Sequence, residues 1–323
     1  MREKVKRIGS LVLAVVLLVS LAGCGKPKTL EGQIQQTANA LGKRVELESS
    51  EDGWAAIALA KAGKKMDETA YLDTLEQEVA ECYERDGGLS DYKATEYHRI
   101  ALTMLALGGD PEQIQGKNGT TINLVADGTW NFPGGSPGLQ GSNGLIYALL
   151  LLDAGDYEPP ADKAQLRKEY VEELLSYQKE SGAFCLDNSL SGDIDITAMA
   201  VQALAPYEEN EAKEAVMRAL NWLADRMTED GGFIYEDSDS SESSSQMILA
   251  LCALGRDPAE DEQFRKNGTD LLTGLDRYRL KNGMYVHTTE DGKENKMATW
   301  QALLALEAVE RLRTGGGWIY TKE

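Results

Sequence analysis

Histidine is scarce in this chain: His98 and His287 are the only two in 323 residues. No His/Cys/Asp cluster has the close spacing of a zinc site and no Cys-x-x-Cys pair occurs, so the common zinc motifs are missing and no cofactor is expected. Cysteine is almost as rare, with Cys24, Cys82, Cys185 and Cys252. Beyond Cys24 the number is odd, and any single pairing among the three is left open by the sequence. Cys252 lies in an apolar run and reads as a small core residue. Basic residues are outnumbered, 33 Lys and Arg against 53 Asp and Glu, for a net charge of −20. Such a surface repels phosphate, which excludes nucleic-acid binding.

A spanning helix is also missing. The apolar stretch Leu11–Leu21 is too short to cross a bilayer. It follows a basic start (Arg2, Lys4, Lys6, Arg7) and ends in Leu21-Ala22-Gly23-Cys24. Small residues closing an apolar segment read as an export signal. The cysteine sharpens this to a lipobox, with residues 1–23 removed and Cys24 acylated as the first residue of a bacterial lipoprotein. Lipid on Cys24 anchors a body that does not itself enter the membrane. The first 23 residues carry four basic and one acidic side chain, so the mature chain has a charge of −23. Residues 24–29 form a short tether, and residues 30–323 form one domain at the outer face of the cell membrane.

What the chain does have is a six-fold repeat. A small or polar residue followed six and seven positions later by Ala-Leu starts at Asp52, Thr95, Ser142, Thr197, Ser244 and Thr299, at spacings of 43, 47, 55, 47 and 55 residues. A period near fifty marks a repeat array. Most of these phrases follow a glycine turn: Asp86-Gly-Gly-Leu, Gly182-Ala-Phe, Asp230-Gly-Gly-Phe, Asn282-Gly-Met. Most turns follow an amphipathic segment. In Glu211–Thr228 the apolar residues Ala212, Val216, Ala219, Leu220, Leu223 and Met227 fall on one helical stripe. The phrases themselves, such as LIYALLLLDA and SQMILALCAL, are apolar nearly all round and are expected to be covered on every side.

The unit is therefore a helical hairpin of one half-solvated outer helix, a glycine turn and one buried inner helix. Outer helices are expected over 30–43, 68–84, weakly over 110–126, then over 163–179, 211–228 and 261–280. Gly268 and Gly274 weaken the last. Six units favour closure into a ring over an open superhelix. The fold expected is all-α, an α/α toroid or (α/α)6 barrel of six helical hairpins. The acidic serine run Glu236–Ser245 reads as a solvated loop feeding a buried helix. Asn118-Gly-Thr and Asn267-Gly-Thr read as turns.

All the glycine turns lead into inner helices, so the N-termini of those helices gather at one end, with unpaired N–H groups and partial positive charge. Thr95, Glu96, Asp193, Asp195, Thr197, Glu242, Ser244 and Thr299 lie there, and His287 follows a glycine turn towards the same mouth. Asp, Ser and Thr at such positions cap helices. Alternatively they line a ligand-binding mouth. His98, just inside an inner helix, reads as a packed, hydrogen-bonded histidine.

These hairpins, with their Gly-Gly-Phe turns, resemble the terpenoid cyclase and protein prenyltransferase α/α-toroid superfamily, from about Leu30 to the end. GDIDITAMAVQALAPY, Gly192–Tyr207, is similar to the helix start of the cobalamin carriers and to the proton-donating Asp-x-Asp-Asp-Thr-Ala of squalene–hopene cyclases. It is also similar to toroid domains of exported Firmicutes proteins. The cyclase resemblance gives Asp195 the place of the proton donor, beside Asp193. Ile196 replaces the last Asp of the motif, so the neighbour that tunes the donor is missing. Prenyl transfer would need a zinc thiolate and a basic patch, and neither pattern is present. Complement-like thioester domains carry Cys-Gly-Glu-Gln, also absent. Carbohydrate hydrolases on six-hairpin barrels pair carboxylates beside aromatics. Asp193, Asp195, Glu96 and Glu242, with Trp54, Trp130, Trp300 and Tyr97, would supply those. The function expected is a non-catalytic module that binds a small hydrophobic or corrinoid-like ligand, or a protein partner, at the open end of the ring. The alternative is a cyclase-like or carbohydrate-active enzyme using Asp195 and Asp193.

Overall fold

The computed structural model describes residues 29–235 and 238–322. The segment read as an export signal and Cys24 lie outside the described residues. Twelve helices are described: α1 (Leu30–Leu41), α2 (Gly53–Lys61), α3 (Glu68–Asp86), α4 (Ala94–Ala106), α5 (Leu124–Gly128), α6 (Ser142–Ala154), α7 (Leu166–Leu175), α8 (Ile194–Leu204), α9 (Asn210–Arg226), α10 (Ser241–Ala253), α11 (Leu271–Asp276) and α12 (Lys296–Thr314). No described helix is long and apolar enough to cross a membrane.

The even-numbered helices hold the repeated phrases. Each packs on the next, α2 on α4 and so on to α12, and α12 packs back on α2. The ring is closed, as expected from six units. The reason is burial. α10 is covered along its whole length from Ser241 to Cys252, and α6 nearly so. Only contact on all sides removes that much apolar surface from water. The odd-numbered helices lie outside. The apolar stripe of α9 is covered at every position named from the sequence.

Two glycine turns show how neighbouring hairpins engage. Gly231 has φ +82°, and a Cβ there would lie 2.5 Å from the Asp270 carbonyl at the start of α11. Gly283 has φ +91°, and its Cβ would lie 2.8 Å from the Gln36 carbonyl of α1. The turn ahead of the last inner helix thus seats on the first outer helix. Around it the Gln36 amide donates to the Lys281 carbonyl (2.9 Å) and Arg279 donates to Gln36 Oε1 (2.8 Å).

Three segments differ from the sequence reading. Over 110–126 the chain forms an antiparallel ribbon, β1 (Ile114–Gln115) with β2 (Thr121–Ile122), and then only the five residues of α5. Over 261–280 the long helix is reduced to α11. A Cβ on Gly274 would lie 2.0 Å from the Gly231 carbonyl, so glycine here permits close approach to the preceding turn. The serine run is not all loop. After β3 (Ile234–Tyr235) and β4 (Ser238–Asp239), Ser240 caps α10 and Ser241 to Ser245 are buried helix. Both Asn-Gly-Thr sites are turns, with Gly119 at φ +76° and Asn267 and Gly268 at +49° and +83°.

Cys82, Cys185 and Cys252 are free thiols, and burial pushes Cys252 up to about 12, as fits a core residue. His98 is fully buried, its Nε2 2.6 Å from the Gly128 carbonyl, and burial holds its pKa down at about 4.

Candidate functional site at the mouth of the ring

Most hydroxyls of the helix-start rim are engaged in structure. Thr197 Oγ1 accepts from the Phe184 amide (2.9 Å) and donates to the Asp193 carbonyl. Thr299 does the same with Tyr285 (3.0 Å) and Asn295 (2.6 Å). Ser244 Oγ donates to the Ser240 carbonyl (3.3 Å). Thr95 exchanges hydrogen bonds with the Gln140 amide, and Glu96 pairs with Arg99. The cap of α8 is Asp193, whose Oδ1 accepts from the Ile196 amide at 2.9 Å. Asp193→Ala is expected to cost about 1 kcal/mol, the usual worth of such a cap, measurable as a small fall in the denaturation midpoint.

Asp195, two residues on, is not a cap. It lies in the first turn of α8 with Glu242 of α10 and His287 beside it. Asp195 and Glu242 stand two residues before the Thr197 and Ser244 that begin consecutive phrases, so the repeat brings them together. Glu242 is 4% exposed. Its Oε2 accepts from His287 Nδ1 (2.8 Å), Ser241 Oγ (3.0 Å) and Ser240 Oγ (3.2 Å). Its Oε1 is buried without a hydrogen-bond partner, and so is Asp195 Oδ1. A buried acceptor left unmade costs about 1–3 kcal/mol, more when charged. Burial pushes the Asp195 carboxyl up to about 6; Asp193 and Glu242 add to this, while the Ser243 hydroxyl and His287 oppose it. The α6 residue Tyr147 faces the same group. Burial raises its phenol, and Asp195 raises it further.

Below this pair the axis is aromatic. The Trp54 ring is 5.2 Å from Tyr147 and stacks on Trp300 at 5.9 Å and 17°. Tyr147 and Met199 are half-buried although the residues on either side of each, Ile146 and Ala148, Ala198 and Ala200, are fully covered. These side chains of α6 and α8 thus keep some exposure between covered neighbours. The aromatic group is capped from the other side. Tyr320 packs against Trp54 at 6.3 Å, and the segment carrying it is tied down by Lys322 N–H to the Ala154 carbonyl (3.0 Å) and Lys61 Nζ to the Thr321 carbonyl (3.2 Å). A chain of buried amides runs between the last three inner helices, Gln202 to Gln246 (2.8 Å) and Gln246 to Gln301 (2.8 Å).

Of the residues named from sequence, Asp195, Glu242 and His287 come together, with Asp193 behind them. Thr95 and Glu96 stand apart with Gln140 and Arg99, and Tyr97 is buried, its hydroxyl holding the Leu89–Ser90 turn. Tyr147 and the glutamine chain were not singled out from sequence. The equal offset of Gln246 and Gln301, each two residues into its phrase, is the signal that would have found part of that chain. Among the described residues no group of three or more His, Cys, Asp and Glu is placed to hold a metal.

The family model described as the prenyltransferase alpha-alpha toroid domain matches residues 145–255 and again 211–314. No curated protein matches the chain. Solved structures similar to it include ent-copalyl diphosphate synthase from Streptomyces platensis, at 19% identity over 83% of this chain and 50% of that one, with a TM-score of 0.47. Another is described as a possible member of the GH105 family from Salmonella enterica subsp. enterica serovar Paratyphi A str. ATCC 9150, at 11% identity over 90% of this chain and 97% of that one, with a TM-score of 0.46. The chain thus spans half the length of the synthase it matches.

Proposed function

The chain belongs to the prenyltransferase alpha-alpha toroid domain family, and from that premise we propose that it is a non-catalytic binding module, exported and anchored by lipid on Cys24, that takes a small, largely apolar ligand into the mouth of the ring. The observation that carries this is the pairing of two buried, unpartnered carboxylate oxygens, on Asp195 and Glu242, with the aromatic floor of Trp54, Tyr147 and Trp300. Unmade acceptors above stacked rings suit a ligand with hydrogen-bond donors at one end and an apolar body at the other. The lipobox Leu21–Cys24 supports the address. Native mass spectrometry of the protein purified from its own host tests the reading. A co-purifying small molecule that is lost in Trp54→Ala is the expected result; the bare polypeptide mass in both proteins would contradict it.

A second reading has one observation in its favour. A carboxyl lifted to about 6 by burial keeps a proton into the neutral range, as an acid catalyst must. In that reading Asp195 donates the proton in a cyclase-like or glycosidic reaction. Ile196, where the cyclase motif has an acid, weighs against it, and so does the capping role of Asp193, which fixes that carboxylate on the helix. Turnover of a substrate that is abolished by Asp195→Asn in a folded protein would replace the binding reading with this one.

A further inference from the structure

We infer that the ligand of the mouth is an organic cation, a protonated amine on an apolar body, held between Asp195 Oδ1 and Glu242 Oε1 with its body against Trp54 and Tyr147. This rests on the binding reading above and adds the chemical class of the ligand. Three features of the site carry it. Neither Asp195 Oδ1 nor Glu242 Oε1 has a hydrogen-bond partner, although the other oxygen of Glu242 takes His287 and two serine hydroxyls and the Ser243 hydroxyl bonds the Asp195 carboxyl. The charged groups acting most strongly on Asp195 are Asp193 from the cap, Glu242 from α10 and His287 from the loop ahead of α12, so two acids and one histidine surround it and no lysine or arginine ranks with them. The floor is aromatic, and aromatic rings attract a cation to their faces and reject an anion. An uncharged alcohol would satisfy one oxygen and leave the other bare. An ammonium has three donors and can reach both. A divalent metal lacks its ligand set among the described residues.

The chemistry also gives a pH dependence. The cation binds Asp195 in its ionised form. Below about 6 Asp195 holds its own proton, which competes with the ligand. The other groups that face Asp195 are His287, which bonds Glu242, with Asp193 and Tyr147.

Three probes of similar size separate the possibilities: phenethylamine, 2-phenylethanol and 3-phenylpropanoate, titrated calorimetrically into the purified protein at pH 7.5 and pH 5. The amine should bind at least tenfold more tightly than the alcohol, the carboxylate more weakly than either, and the amine should lose at least tenfold at pH 5. Asp195→Asn and Glu242→Gln should each weaken the amine tenfold and leave the alcohol within threefold, with both variants checked for an intact melting transition. Equal binding of amine and alcohol, or equal loss of both in the variants, overturns the cation while leaving the binding module standing. Binding of none of the three at millimolar concentration overturns the cation as well, and the native mass measurement then decides separately whether the ring carries a ligand at all.

Discussion

Replacing Gly283 by alanine is expected to destabilise the protein by about 3 kcal/mol, about twice the cost of the same change at Gly63. Both glycines have positive φ, +91° and +60°, where an L-residue is strained by about 1–2 kcal/mol. At Gly63 that is the whole cost, because a Cβ there meets nothing within 4 Å. At Gly283 the Cβ would lie 2.8 Å from both the backbone oxygen and the Cγ of Gln36. The oxygen cannot move away without shifting α1, which packs on α12 and α2. Overpacking of this kind adds about 1–3 kcal/mol. In a chain of this size the difference is a fall in Tm of about 5–10 °C for Gly283→Ala against about 2–5 °C for Gly63→Ala. Equal falls would mean that the turn does not bear on α1 and that the ring is not shut at this point.

The second large effect has the opposite sign. Asp195→Asn should stabilise the folded protein at pH 7.5 by about 2–3 kcal/mol and should leave its stability nearly unchanged at pH 4. The native carboxyl sits at about 6, whereas in an unfolded chain an aspartate titrates near ~3.9. A carboxyl whose folded pKa is raised supports the fold below its unfolded pKa, and that support is lost as pH rises through the folded value. At about 1.4 kcal/mol per unit the loss is complete above pH 7. Asparagine keeps the shape and removes the charge. Glu307, which burial pushes up to about 7, titrates in the same direction, and His98, held at about 4, in the opposite one. Both are present in wild type and variant, so they cancel in the difference. Denaturant titrations of the two proteins from pH 4 to pH 8 measure it. A difference that does not grow with pH would mean that Asp195 is not desolvated. A site that weakens its own fold in this way is what a binding function, rather than stability, would maintain.

How much of this was legible in the residues depends on what sets each feature. The inner helices were, because a helix covered on every side must be apolar on every side, and the six Ala-Leu phrases repeat that requirement. α9 was, because its stripe faces one neighbour only. The segment 261–280 was not, because Gly274 meets the Gly231 turn, a contact between residues of different hairpins that no local pattern records. The ribbon at Ile114–Ile122 carries too few apolar residues for either period to stand out. At the mouth, the rim residues follow from the repeat, but which carboxyl caps and which faces the axis is a matter of a single residue. Asp193 has the extended backbone of a cap, and Asp195 is already helical. The aromatic floor depends on three side chains from α2, α6 and α12 meeting on one axis, which no local pattern records.

Everything proposed for the mouth requires the Asp195 carboxyl to be desolvated, with its Oδ1 left without a partner. The most direct measurement is its titration by carbon-13 NMR with labelled aspartate, using Asp195→Asn to assign the resonance. The expected result is an apparent pKa of about 6 in the free protein. A midpoint near ~4, the ordinary value for a solvated aspartate, would contradict it.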